Sequence, residues 1–102
     1  MRIYTAGPMS GHPDLNYPAF AEEAARLRAG GFDVVSPAEL NAGMEHEGWH
    51  ACMKRDIVAL LGCDAIALLS GREKSKGATL ELKIARGMGM RVFYPASTLL
   101  EV

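Results

Sequence analysis

The run Ala65-Ile66-Ala67-Leu68-Leu69 decides the fold. Five apolar residues in a row cannot alternate between a core and water. A strand made of them is covered on both faces, as in a parallel sheet packed between helices. Before it lies a helical stripe, in which Trp49, Met53, Ile57, Leu60 and Leu61 step by 4, 4, 3 and 1. After it comes a polar segment, Ser70 to Lys76, then Gly77 and a helix expected from about Ala78 to Met88. Arg91-Val92-Phe93-Tyr94 reads as a last strand, closed by Pro95. Toward the N-terminus, Ile3-Tyr4-Thr5 forms a first strand that stops at Gly7-Pro8. Met9 to Tyr17 carries Gly11, Pro13 and Asn16, which is loop chemistry. Asn16 is placed to cap a helix starting near Pro18, with Phe20, Ala24 and Leu27 on its inner face and Gly30-Gly31 as its stop. Phe32 to Val35 is the second strand, and Ala38 to Gly48 reads as irregular.

The order β-α-β-loop-α-β-α-β predicts an α/β fold, a flavodoxin- or Rossmann-like three-layer sandwich with a small parallel sheet of about four to five strands. Ligands bind such sheets outside the carboxyl ends of the strands, where the strand order switches. Three loops converge there: Ala6–Tyr17, Ser36–Gly48 and Ser70–Gly77.

Composition agrees. The chain has 102 residues, 49% hydrophobic and 23% charged, which suits one packed domain spanning 1–102 and excludes disordered, collagen-like and coiled-coil classes. A formal net charge of -1 leaves no basic footprint for a nucleic-acid polymer. No apolar run approaches the roughly 18 residues a membrane span needs. The chain enters its first strand at once without the apolar core of a signal peptide, so a cytoplasmic location is expected. Cys52 and Cys63 stand eleven apart on or beside one helix, roughly 16 Å at helical rise, too far to bridge. So small a domain buries a modest fraction of its surface, and a homodimer or higher homo-oligomer is expected.

Several residues are candidates for chemistry. Gly7 and Gly11 in the first loop let backbone N–H groups approach a ligand, or simply make a turn. No Gly-Lys-Ser/Thr makes that loop a P-loop. Glu81 is expected in the first turn of the helix after the polar segment. There the helix dipole favours its ionised form, the state a nucleophile needs. Asp56 borders the apolar stripe, a costly place for a carboxylate unless it is paired or used. Its neighbours Lys54 and Arg55 are expected to face water. Arg72, Lys74 and Lys76 make the third loop basic, as a phosphate clamp or as a solvated turn. Ser75 and Gly77 add a hydroxyl and a flexible backbone beside Glu81. His46-Glu47-Gly48-Trp49-His50 matches the zinc-peptidase pattern, but Gly48 interrupts it and no third ligand follows. No metal and no cofactor are expected.

Three segments carry a resemblance: Ile3-Tyr4-Thr5-Ala6-Gly7-Pro8-Met9, Asn16-Tyr17-Pro18-Ala19-Phe20 and Val35-Ser36-Pro37-Ala38-Glu39. Over Met1 to about Pro95 the chain resembles a small, phage-associated domain family of unassigned function within the nucleoside 2-deoxyribosyltransferase-like group. The resemblance implies hydrolysis or transfer at the N-glycosidic bond of a nucleoside or nucleoside 5′-monophosphate. It makes Glu81, in Gly77-Ala78-Thr79-Leu80-Glu81, the nucleophile that attacks the sugar C1′. Asp56, in Arg55-Asp56-Ile57, becomes the group that protonates or orients the leaving base. Tyr4, Gly7, Pro8, Ser75 and Gly77 become substrate-binding residues. Trp49 and Tyr17 are open to either of two roles, stacking on the base or filling the core. The chemistry parallels a retaining glycosidase, whose two carboxyls stand about 5–5.5 Å apart.

Two departures from the group's pattern are visible. Pro8-Met9-Ser10 replaces a phosphate-gripping Ser-x-Arg, and Ser70-Gly71-Arg72 stands where transferases commonly carry an aspartate. They keep a non-catalytic nucleotide-binding protein as the alternative, with a zinc metallopeptidase a distant third. C-termini of some relatives reach a neighbouring subunit's site, a role for which the tail Ala96–Val102 is the candidate.

Overall fold

A computed structural model describes residues 1–95; the tail Ala96–Val102 lies outside them. Four strands, β1 Arg2–Ala6, β2 Asp33–Val35, β3 Ala65–Leu68 and β4 Arg91–Phe93, form one parallel sheet in the order β2-β1-β3-β4. Tyr4 pairs with Val35 on one side and Ile66 on the other, so β1 is central. Period-two alternation sorts the side chains. Ile3, Val34, Ala65 and Ala67 pack against Ala24 and Leu27 of helix α1, Tyr17–Ala29. Tyr4, Ala6, Ile66 and Leu68 pack on the opposite face with Leu60 of α3, Trp49–Leu61, and with Ala78, Leu82 and Ala85 of α4, Lys76–Gly87. Every residue of β3 is buried, as the continuous apolar run requires. The result is the three-layer α/β sandwich the element order predicts. With β2 on one side of β1 and β3 and β4 on the other, the switch in strand order falls between β1 and β3.

Four local readings change. The segment after β2 holds a helical turn, α2 at Pro37–Leu40, and a 3-10 turn at Glu45–Glu47, separated by Asn41 to Met44. Asn16 stands at the N-cap position of α1, as expected, but its side chain makes no capping hydrogen bond. It sits in the left-handed region at φ 61°, following Asp14 and Leu15 at φ 50° and 52°, and its Nδ2 donates to the Pro8 carbonyl at 2.9 Å. Helix α4 starts at Lys76 rather than Ala78, because the Ser75 side chain accepts from the Ala78 N–H at 3.1 Å. The buried face of α3 is Met53, Asp56 and Leu60, while Leu61 is 53% exposed at the helix end. Asp56 is therefore inside the apolar stripe rather than beside it.

Candidate active site

At the carboxyl ends of β1 and β3 the first loop, the segment after β2, and the facing ends of α3 and α4 enclose a cavity of about 180 Å³. Two glycines permit this close approach. A Cβ at Gly7 would lie 2.7 Å from the Leu69 Cβ, and one at Gly77 would lie 3.1 Å from the Met53 sulfur. The first loop thus seats directly on the end of β3, and the start of α4 seats on α3.

Two carboxyls line this cavity. Glu81 is 4% exposed and Asp56 is 5% exposed. Glu81 accepts a hydrogen bond from the hydroxyl of Tyr4, which is fully buried beneath it on β1. Loss of solvent pushes the Glu81 carboxyl up to about 8; the Tyr4 hydrogen bond works against this and the nearby Asp56 charge adds to it. The expectation that the helix dipole keeps Glu81 ionised is corrected. Because α4 begins at Lys76, Glu81 is past the first turn, where the dipole has faded, and desolvation prevails. The same burial, with the adjacent carboxylates, raises the Tyr4 hydroxyl well above its usual value.

Asp56 has a different setting. Burial pushes it up to about 6, opposed by a hydrogen bond from Asn41 and by the charge of Arg55. Asn41 Nδ2 donates to Asp56 Oδ1 at 2.7 Å and to the Pro37 carbonyl at 3.0 Å. Arg55 does not simply face water. Its Nη1 donates to Asn41 Oδ1 and its Nη2 to Glu47 Oε1, each at 2.7 Å.

Of the expected binding residues, Gly7, Ser75 and Gly77 line the cavity with the two carboxyls, and Tyr4 supports it from below. Pro8 is buried behind the loop, its carbonyl held by Asn16, and is not part of the lining. Trp49 lines the cavity, with the Lys76 ammonium 4.4 Å above its ring centroid. Tyr17 donates to Glu45 Oε2 at 2.5 Å, and Glu45 is also on the wall. Asn41 and Glu45 escaped the sequence reading. The only signal pointing to Asn41 is its place one turn after Pro37, at the end of a four-residue helix too short to show periodicity. The zinc pattern does not fall on one helix. His46 lies on the 3-10 turn, Gly48 at φ 93° breaks the chain direction, and His50 lies in the first turn of α3. Among the described residues no group of three or more His, Cys, Asp or Glu is placed to hold a metal ion. No helix there is long and apolar enough to cross a membrane, and Cys52 and Cys63 are free thiols.

A parallel α/β domain with two buried carboxyls at its topological switch point is the class that fold and site define. The chain belongs to a domain family of unknown function (DUF4406), whose profile matches residues 1–94. No curated protein matches significantly. Among solved structures, a 2-desoxiribosyltransferase from Leishmania mexicana has the same fold, with a TM-score of 0.70 and 24% sequence identity. The match covers 91% of this chain and 62% of that protein, so the chain spans less than two thirds of its length.

Proposed function

We propose that this domain breaks the N-glycosidic bond of a nucleoside, with Glu81 as nucleophile and Asp56 as the acid for the leaving base. The observation that carries the reading is the pair of buried carboxyls on the wall of one cavity at the switch point. The fold likeness to a protein named as a 2-desoxiribosyltransferase supports it.

Between about pH 6 and about 8 the pair holds one proton. In the productive arrangement that proton is on Asp56, and the Glu81 carboxylate is stabilised by the Tyr4 hydroxyl. A Glu81 oxygen bonds to C1′ from the face opposite the base. The C1′–N bond breaks, its electron pair goes to the base nitrogen, and the Asp56 proton follows. Asp56, now a carboxylate, accepts a proton from water or from an acceptor base as that nucleophile takes C1′ and frees Glu81. No cofactor enters the balance.

The wall also selects. Among the described residues its acidic side chains are Glu45, Asp56 and Glu81, and no Lys, Arg or His is part of the lining. Such a wall disfavours a phosphate and favours the uncharged nucleoside over its 5′-monophosphate. The exposed Val58 and Leu61 of α3 leave apolar surface for the expected self-association, which size-exclusion chromatography measures.

One observation favours a second reading, a non-catalytic nucleoside binder: burial holds Glu81 protonated at neutral pH. The deciding experiment incubates the protein near pH 7 and pH 8 with ribo- and deoxyribonucleosides and their monophosphates, and separates released base by chromatography. Base release from nucleosides by the wild type, absent in Glu81→Ala, is the expected result. Saturable binding without release at either pH selects the binder.

A further inference from the structure

The chain Glu47–Arg55–Asn41–Asp56 has a directional logic. Arg55 offers only donors, so the Asn41 atom facing its Nη1 at 2.7 Å is the carbonyl oxygen. The amide nitrogen is thereby turned the other way, and both of its hydrogens are taken, one by the Pro37 carbonyl and one by Asp56 Oδ1. Asn41 is 3% exposed, so an amide flipped by 180° would set its oxygen against two buried acceptors. Arg55 is itself held from outside by Glu47, through an ion pair whose side chains are 28% and 34% exposed. Asp56 Oδ2 has no hydrogen-bond partner among the described residues, and Asp56 lines the cavity.

We propose that Arg55 and Asn41 are positioning residues: Arg55, anchored by Glu47, locks the Asn41 amide so that one Asp56 oxygen is pinned and the other is left for a ligand in the cavity. This gives the glutamate of the zinc-peptidase-like motif a structural task, and it leaves Asn41 no free N–H to offer a base, since both amide hydrogens are engaged. The consequence for turnover rests on the N-glycosidase reading; the consequence for Asp56 itself does not. The other titratable groups close enough to act on Asp56 or be acted on by it are Tyr4 from β1, Tyr17 from α1 and Glu81 from α4.

The test uses Arg55→Met and Arg55→Lys, whose site is near enough to solvent that the fold tolerates them, with Asn41→Ala as a more disruptive companion. Two NMR readouts are followed: the pH titration of the Asp56 carboxyl carbon and the side-chain amide signals of Asn41. In Arg55→Met the Asp56 midpoint is expected to rise by roughly one pH unit, and the Asn41 amide signals shift and lose protection. Arg55→Lys keeps the charge but not the two-pronged geometry, so it restores part of the midpoint and not the amide protection. Turnover in Arg55→Met falls about 10-fold in kcat with little change in KM. A folded Arg55→Met protein with both NMR readouts unchanged overturns the proposal. A wild type that releases no base from any nucleoside overturns the N-glycosidase reading instead, and the two NMR readouts still decide the relay.

Discussion

The two walls of the cavity hold carboxyls of nearly equal burial and treat them differently. On the α4 side, Glu81 at 4% exposure has one neutral donor, the Tyr4 hydroxyl, and is pushed to about 8. On the α3 side, Asp56 at 5% exposure has the Asn41 amide and a nearby guanidinium, and reaches only about 6. Loss of solvent is the largest cause on both walls and weighs more on the deeper Glu81; the partners of Asp56 add to the difference by holding it down. A neutral hydroxyl opposes desolvation weakly, whereas an amide backed by a cation opposes it more strongly. The split favours the proton on Glu81 in the one-proton state. The productive form, with the proton on Asp56 and Glu81 ionised, is therefore the minor of the two, and whatever stabilises the Glu81 carboxylate raises its share.

The largest expected effect is on turnover. Glu81→Gln removes the nucleophile but keeps an oxygen for the Tyr4 hydroxyl, so the protein folds while base release drops by roughly 10³-fold or more. Retention of wild-type activity breaks the assignment of roles to the two walls. Asp56→Asn is the reciprocal change. It preserves an acceptor for Asn41 and removes the proton donor, for an expected loss of roughly 10²–10⁴-fold. It also removes a negative neighbour of Glu81, whose titration midpoint is expected to fall below that of the wild type. A midpoint that stays put means the two carboxyls titrate independently.

The next effect is on stability, and its sign follows from proton binding. In the unfolded chain Glu81 titrates near 4.5, and in the fold near 8. Between those values the native state binds more protons, so stability is highest near the acid end of that window and falls as pH rises through it. The loss from Glu81 alone is roughly 3 kcal/mol between pH 5 and pH 8. Asp56, raised from 3.8 to about 6, adds to the same trend at the lower end of the window. Melting temperature measured from pH 5 to pH 8 is expected to decline in the wild type and to decline much less in Glu81→Gln. Parallel curves for the two proteins remove burial of the Glu81 charge as the cause.

Those walls differ also in how far the sequence announced them. The sheet was legible because its residues obey local rules: Ala65 to Leu69 has no polar alternation, and Phe20, Ala24 and Leu27 repeat at helical spacing before Gly30. Glu81 was placed in a cleft by the order of elements, but its role came from resemblance, since a glutamate near a helix start is common on dipole grounds alone. The sequence pattern sets the start of α4 two residues late because Gly77 resembles loop chemistry, whereas Ser75 caps a helix that already includes it. Asn41 was invisible for a stronger reason. Its contacts to Asp56 and Arg55 join residues 15 and 14 positions apart, across a segment that holds only the 3-10 turn Glu45–Glu47 before α3 begins. No periodicity encodes a pairing of that kind. The left-handed run Asp14-Leu15-Asn16 is likewise hidden, because what holds it is a set of turn hydrogen bonds, Leu15 N–H to the His12 carbonyl and Asn16 Nδ2 to the Pro8 carbonyl, that no local pattern announces.

The smallest and most discriminating change is Tyr4→Phe. The ring is fully buried, so phenylalanine fills the same space and the core around β1 and α4 stays packed. What is lost is one hydroxyl that donates to Glu81, worth about 1 kcal/mol in net stability when both partners are buried. That donor favours the carboxylate form, so its removal moves the Glu81 midpoint above the wild-type value of about 8. In a pH–rate profile the limb at the higher pH moves up with it, while the limb near 6 that reflects Asp56 stays in place. The one-proton state then places its proton on Glu81 more often, and kcat/KM near pH 7 falls by about 10-fold. Movement of both limbs together indicates a change transmitted through the whole cavity rather than through one bond. Movement of neither reduces the contrast between the walls to burial and the Arg55 charge, with the Tyr4 hydroxyl a packing group that happens to meet an oxygen.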